Sequence, residues 1–200
     1  MRIIPHEQRT EGWYAARRGV PTASSFGKLI TATGKRAASA DAYIDELIAE
    51  KLTGESKFFP TTAAMQHGID TEPKAREYYE FMYERQVTEI GLCLHDTIEA
   101  GASPDGLVAD DGMLEIKCPQ PHTMVKYLRE NRLPPEYKAQ VMGQLWICER
   151  EWVDFLAYHE KIKPLLIRVT RDEEYIAELE AIVTKAVETI DENVTKMKGK

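Results

Sequence analysis

Apolar residues recur at helical spacing in two long stretches. In residues 40–52 they fall at Tyr43, Ile44, Leu47, Ile48 and Leu52, and Gly54 closes the run. In residues 172–196 they fall at Tyr175, Ile176, Leu179, Ile182, Val183, Val187 and Ile190. Recurrence at three and four residues puts each set on one face of a helix, where burial against a core stabilises it. Shorter helices are predicted over residues 7–18, stopped by Gly19, and from Thr22 as N-cap to about residue 30. Two more are expected over residues 123–129 and from Pro134 and Pro135 to about residue 148. Residues 61–84 read as one helix or two, with Pro73 marking a break, a kink or a new first turn. Residues 87–95, 98–102, 152–159 and 165–170 have strand character. With no repeat and no linker-like segment, the 200 residues form one domain: an α/β fold with a mixed sheet flanked by helices.

Residues 103–118, SPDGLVADDGMLEIKC, supply two more strands and the candidate chemistry. Asp110, Asp111 and Gly112 form a turn signal, with Gly112 expected in the left-handed region. A three-residue loop then sets Leu107 opposite Glu115 and Asp105 opposite Lys117. Side chains alternate along a strand, so Asp105, Glu115 and Lys117 share one face, while Val108, Leu114 and Ile116 point into a core. Two carboxylates and a lysine on one surface are costly to bury unless they are paired or bind metal. Carboxylate oxygens suit Mg²⁺, and a lysine beside them can orient a water or meet phosphate charge.

Pro104-Asp105 followed by Glu115-x-Lys117 resembles the PD-(D/E)xK nuclease pattern. The longer string S-P-D-G-L, a short hairpin and L-E-I-K-C-P resembles the phage lambda exonuclease type, the YqaJ viral recombinase family. W-x-x-x-R-x-G-V-x-T-A-S, from Trp13 to Ser24, is similar to that family's opening, and A-Q-V at Gln140 to a later motif. The resemblance implies a restriction-endonuclease-like core and a Mg²⁺-dependent exonuclease. Such an enzyme removes 5′ mononucleotides from linear duplex DNA and leaves a 3′ single strand for annealing. It further implies that Asp105, Glu115 and the Ile116 carbonyl hold metal, two ions per site, with Mn²⁺ as the alternative to Mg²⁺. Lys117 would position or deprotonate the water, and Glu72, four residues after Gly68, would support the metal site. Arg17, Ser24, Ser103 and Gln140 would recognise the 5′ phosphate. Met65 matches an apolar residue that wedges between bases at the duplex end. A homotrimeric ring around DNA, a single-strand annealing protein as partner and a phage or prophage origin in a bacterial cytoplasm are also implied.

The alternatives are a PD-(D/E)xK endonuclease or junction resolvase, or a non-catalytic module that binds DNA ends. Gln144, one turn after Gln140 on the same helical face, is the weaker glutamine candidate. Trp13 reads as core or a lid over the site, and Tyr137 as packing.

Composition alters this picture in three places. Net charge is −7, which does not advertise a DNA-binding protein. Residues 1–40, however, hold seven basic and two acidic side chains, +5, leaving −12 for the rest. A basic patch on an acidic body can follow phosphates locally, and the small-residue loop carrying Lys35 and Arg36 is its candidate for DNA contact. Cys93, Cys118 and Cys148 lie far apart in sequence, which argues against a zinc ribbon or iron–sulfur cluster and for a reducing cytosol. No apolar run approaches the roughly 20 residues of a membrane helix, and residues 1–10 lack the apolar region of a signal peptide.

Overall fold

The computed structural model describes residues 1–56 and 62–199. In chain order the elements are β1 (Arg2–Ile4), α1 (Glu11–Arg17), a 3₁₀ segment (Ala23–Lys28), α2 (Ala40–Thr53), α3 (Ala63–Tyr83), β2 (Val87–Thr88) and β3 (Leu92–Leu94). Then follow β4 (Gly101–Ala102), β5 (Gly106–Val108), β6 (Gly112–Lys117), α4 (Pro121–Glu130), a 3₁₀ turn (Pro135–Tyr137), α5 (Lys138–Ile147), β7 (Trp152–His159), β8 (Ile162–Thr170) and α6 (Glu173–Met197). Five strands form a mixed sheet in the order β2-β5-β6-β7-β8, antiparallel except for the β6–β7 pair. A smaller antiparallel sheet has the order β1-β3-β4.

The large sheet is buried on both faces because its central strands are apolar on both. Leu114, Ile116, Trp152 and Leu156 meet Ala75 and Tyr79 of α3. Met113, Val153, Phe155 and Ala157 turn the other way, into the main core with α4, α5 and the α2–α6 pair. Tyr43, Ile44, Leu47 and Ile48 of α2 are buried as their spacing predicts and Leu52 is exposed instead; α6 buries Tyr175, Ile176, Leu179, Val183 and Ile190, and Gly54 ends α2 at a φ of 72°.

Several expectations are corrected. Of the two readings of residues 61–84, one helix or two, α3 is the single helix, with no break at Pro73. Its expected start at residue 61 lies outside the described residues. Residues 87–95 divide between the two sheets, and β1, a short exposed edge, was not foreseen. Thr22 does not cap its helix through its side chain, and that helix is a 3₁₀ segment. In the hairpin, Val108 pairs with Gly112 and Gly106 with Leu114, two residues away from the expected register. Ala109, not Gly112, takes the left-handed conformation, at a φ of 51°. Gly112 is needed for another reason: a Cβ there would lie 2.1 Å from the Trp152 ring.

A buried aspartate ties β7 to β8 by an ion pair and to α3 by a hydrogen bond. Asp154 is 1% exposed and accepts from the Tyr79 hydroxyl at 2.7 Å and from Arg168 at 2.8 and 2.7 Å. The guanidinium of Arg168 also stacks on Trp152, 3.8 Å from the ring centroid. Arg168→Met should therefore destabilise the protein by about 3 kcal/mol, the low end for stranding a buried charge, because Arg168 is itself half-exposed. Tyr79→Phe, which leaves the arginine in place, should cost only about 1 kcal/mol. Urea unfolding of the two variants measures the difference.

Candidate active site

The two-residue shift of register preserves which side chains share a face. Continued by one residue, the observed pairing sets Asp105 level with Glu115 rather than Lys117. The Asp105 amide donates to the Leu114 carbonyl at 3.1 Å, and Asp105 Oδ2 accepts the Ile116 N–H at 2.6 Å. Asp105 is thereby fixed beside the strand that carries Glu115, the Ile116 carbonyl and Lys117. Burial, reinforced by the charges of Glu115 and Glu72, pushes the Asp105 carboxyl well above the usual carboxylate range. Burial pulls the Lys117 ammonium down, but Glu115 and Asp105 outweigh it and raise it above an ordinary lysine. Cys118, next in the chain, is pushed up to about 12 by burial and is no thiolate nucleophile at neutral pH.

Glu115 is 2% exposed, yet both of its oxygens are engaged. Oε1 takes the Lys117 ammonium and the Gln140 amide, the latter at 2.6 Å. Oε2 takes the Gln144 amide at 2.6 Å. Both glutamines project from α5, four residues apart, as its helical repeat requires. Tyr137, at the foot of this helix, packs on Phe155 and presents its ring 5.1 Å from Lys117 Nζ.

Glu72 sits on α3 between two guanidinium groups. Arg9 reaches it from the loop before α1, and Arg76 from one helical turn on at 3.1 Å. Arg76 continues to Glu89 at 2.9 Å. The loop is pinned by Gln8, whose amide donates to the carbonyls of Ile90 at 3.0 Å and Pro104 at 2.9 Å.

A second cluster forms around Arg17. Its guanidinium donates to Ser103 Oγ at 3.2 Å, Thr22 Oγ1 at 3.0 Å and Ser24 Oγ at 3.2 Å. It stacks on Trp13 at 4.1 Å, and the Trp13 indole N–H donates to Ser103 Oγ at 3.1 Å. Among the described residues no carboxylate forms an ion pair with Arg17. Burial lowers its guanidinium from the ordinary arginine value. A cation ringed by hydroxyls, and with no ion-paired acid among the described residues, is suited to receive an anion. The cluster closes because residues 21 and 22 pair with β4: the Gly101 amide donates to the Pro21 carbonyl at 3.0 Å, and Thr22 bridges to Gly101.

The donors around Asp105 are all oxygens, as a hard divalent cation requires. Among the described residues no three His, Cys, Asp or Glu side chains form a metal-holding group, so a cation here would rest on Asp105 and Glu115, with the Ile116 carbonyl as the third oxygen that the sequence suggests. Magnesium, which keeps several waters, is commonly held by one or two carboxylates. Asp105 carries the signature of such a site: a buried acid pressed by neighbouring acids, which a divalent cation would relieve. The residues present fit the ion.

The structure thus gathers Asp105, Glu115, Lys117 and Glu72 in one place and Arg17, Ser24 and Ser103 in another. Gln140 joins the first group, on Glu115, rather than the second. Met65 is half-exposed in the first turn of α3. Arg36 is paired with Asp41 at 2.6 Å, and Lys35 lies in a loop whose backbone closes on Thr31. No hydrogen bond or ion pair among the described residues links Lys35, Arg36 or Met65 to either cluster. Sequence reasoning missed Arg9, Arg76 and the hydroxyl of Thr22, and it underweighted Gln144. Arg76 lies four residues from Glu72 and Gln144 four from Gln140, so both had a helical signal; Arg9 had none.

Comparison with known proteins adds the following. A family model for the YqaJ-like viral recombinase domain matches residues 12–151. An alkaline exonuclease, LHK-Exo from Laribacter hongkongensis, is 38% identical, with a TM-score of 0.87 over 94% of this chain and 96% of that one. The same exonuclease in complex with dAMP matches with a TM-score of 0.86, again at 38% identity and over 94% and 96% of the two chains. A phage-related exonuclease from Haemophilus somnus 129PT shares the fold, with a TM-score of 0.67 at 16% identity over 89% of this chain and 96% of that one. No curated protein matches. Taken with the hairpin geometry, the α5 glutamines and the Arg17 cluster, these matches lead to one conclusion: the chain belongs to the YqaJ-like viral recombinase family.

Proposed function

We propose that the protein is a magnesium-dependent DNA exonuclease that degrades linear duplex DNA from its 5′ ends. The observation that carries this reading is the segment from Ser103 to Asp105. Ser103 belongs to the Arg17 anion cluster and Asp105, two residues on, to the carboxylate pair. A phosphate held by Arg17, Ser24 and Ser103 would present an adjoining phosphodiester to the acids. An end-bound phosphate beside a cleavage site favours release of single nucleotides over cutting within a chain.

Asp105, Glu115 and the Ile116 carbonyl would hold the ion, with Mn²⁺ as the alternative, and a second ion is part of the proposal. Bound there, it would polarise the phosphoryl group and acidify a water. Lys117, kept cationic by Glu115 and Asp105, orients the attacking water and meets phosphate charge. Glu72 supports the site from α3, where Arg9 and Arg76 hold it. Met65, exposed at the start of α3, would wedge into the duplex end, and Lys35 and Arg36 would follow its backbone. The single strand left behind would pass to an annealing partner. A homotrimeric ring would let an acidic protein stay on DNA without a broad basic surface. A phage or prophage protein working in a bacterial cytoplasm fits this role; no helix among the described residues is long and apolar enough to cross a membrane.

Two outcomes follow. Arg17→Ala should lower kcat/KM on duplexes with 5′-phosphorylated ends by about 10- to 100-fold, the worth of a charge-assisted contact. The same variant should change little on ends lacking the phosphate, and equal losses on both substrates would remove the phosphate role. Asp105→Asn should abolish magnesium-dependent cleavage while raising the metal-free melting temperature, by about 1 kcal/mol of stability, because a buried charge without a cation is removed. A melt with and without magnesium checks this: the ion should stabilise the wild type and leave the variant unmoved.

A further inference from the structure

We infer that Gln144 is the positioning residue for Glu115, and through it sets the affinity of the site for a hard divalent cation; the inference rests on the metal-dependent reading above. Gln144 is 1% exposed, among Val141, Met142, Leu145 and Trp146, all buried and apolar. Its amide nitrogen donates to Glu115 Oε2 at 2.6 Å. Its carbonyl oxygen is buried with no donor among the described residues. Buried polar atoms are almost always paired, and an apolar side chain of the same size would leave no orphan at this position. The amide is therefore unfavourable for the fold at its oxygen end, and what it delivers is the N–H on Glu115.

That N–H completes a specific restraint. Lys117 and Gln140 both act on Oε1, and among the described residues Oε2 has only Gln144 as a donor. The terminal torsion of a glutamate is soft, so donors on one oxygen leave the carboxylate free to turn about it. A donor on each oxygen fixes the plane, and with it the direction in which free lone pairs point. Two of the three donors are neutral amides, which hold a carboxylate without cancelling its charge. An arginine in their place would bind Glu115 as firmly and compete with a cation for it. Gln140 and Gln144 stand on consecutive turns of α5, so they act as one rigid support. Partners of this kind commonly alter metal affinity 10- to 100-fold when removed.

The test is magnesium binding to the DNA-free protein by titration calorimetry, with thermal unfolding alongside, for the wild type, Gln144→Met, Gln144→Asn and Glu115→Gln. Methionine keeps length and bulk but has no N–H. It should weaken magnesium binding about tenfold or more, leave the melting temperature equal or higher, and lower kcat on duplex ends at unchanged KM. Asparagine keeps the amide but falls short of Glu115; it should bind magnesium as weakly, and it decides the matter if the methionine variant does not fold. Wild-type magnesium affinity in the variants, or a lower melting temperature with affinity intact, would overturn the positioning role and leave the nuclease reading standing. Absence of magnesium binding to the wild type, or equal binding by Glu115→Gln, would bring down both.

Discussion

A buried carboxyl group, that of Glu115, is held inside the protein by one ammonium and two amides, and much of the architecture serves to make that tolerable. A side chain that is 2% exposed is largely cut off from bulk solvent, so its oxygens draw their donors from within the protein. Lys117 comes from the same strand, two residues on, where alternation returns it to the same face. The amides require a helix laid across that face, which α5 provides. Its approach is close: a Cβ on Gly143 would lie 2.4 Å from the Phe26 ring, so only glycine lets α5 settle against the 3₁₀ segment. Phe26 is fully buried, and two residues before it stands Ser24.

The two chemical centres are consequently parts of one packing arrangement. Helix α5 reaches the sheet at Glu115 through Gln140 and Gln144, and packs on the 3₁₀ segment at Ala23 and Phe26, either side of Ser24. The strand-like segment through Ser103 runs between the centres and enters the hairpin at Asp105. The loop before α1 is tied to Pro104 by Gln8 and carries Arg9 to Glu72 at a φ of 68°, a left-handed conformation that a non-glycine residue adopts at some cost. Backbone strain and an orphaned amide oxygen thus both occur within this small region, and both accompany a donor placed on one of its acids, Glu72 or Glu115.

Much of this was legible in the chain because it depends on period. Most of the α2 and α6 stripes and the shared face of Asp105, Glu115 and Lys117 follow from repeats of 3.6 and 2. The shared face survived an error in register because a slip of two residues returns every side chain to its side. The slip itself came from assigning the turn to Gly112, when Ala109 bears the positive φ and Gly112 makes room for Trp152. That contact is between strands and has no local trace. Family resemblance brought Arg17, Ser24 and Ser103 onto the list, and the structure puts them in one cluster. Gln140 was grouped with them, yet it lies on Glu115. Arg9 was invisible because nothing in a loop sequence says which distant acid it will meet.

The central claim is that an end-bound phosphate and a carboxylate pair act on one DNA strand with a fixed polarity. The most direct measurement follows the first label released from linear duplexes marked at either the 5′ or the 3′ terminus, in the presence of magnesium. The account predicts immediate appearance of the 5′ label as a mononucleotide, delayed release of the 3′ label, and an intact closed circle in the same mixture. Early release of the 3′ label, or cutting of the circle, would contradict it.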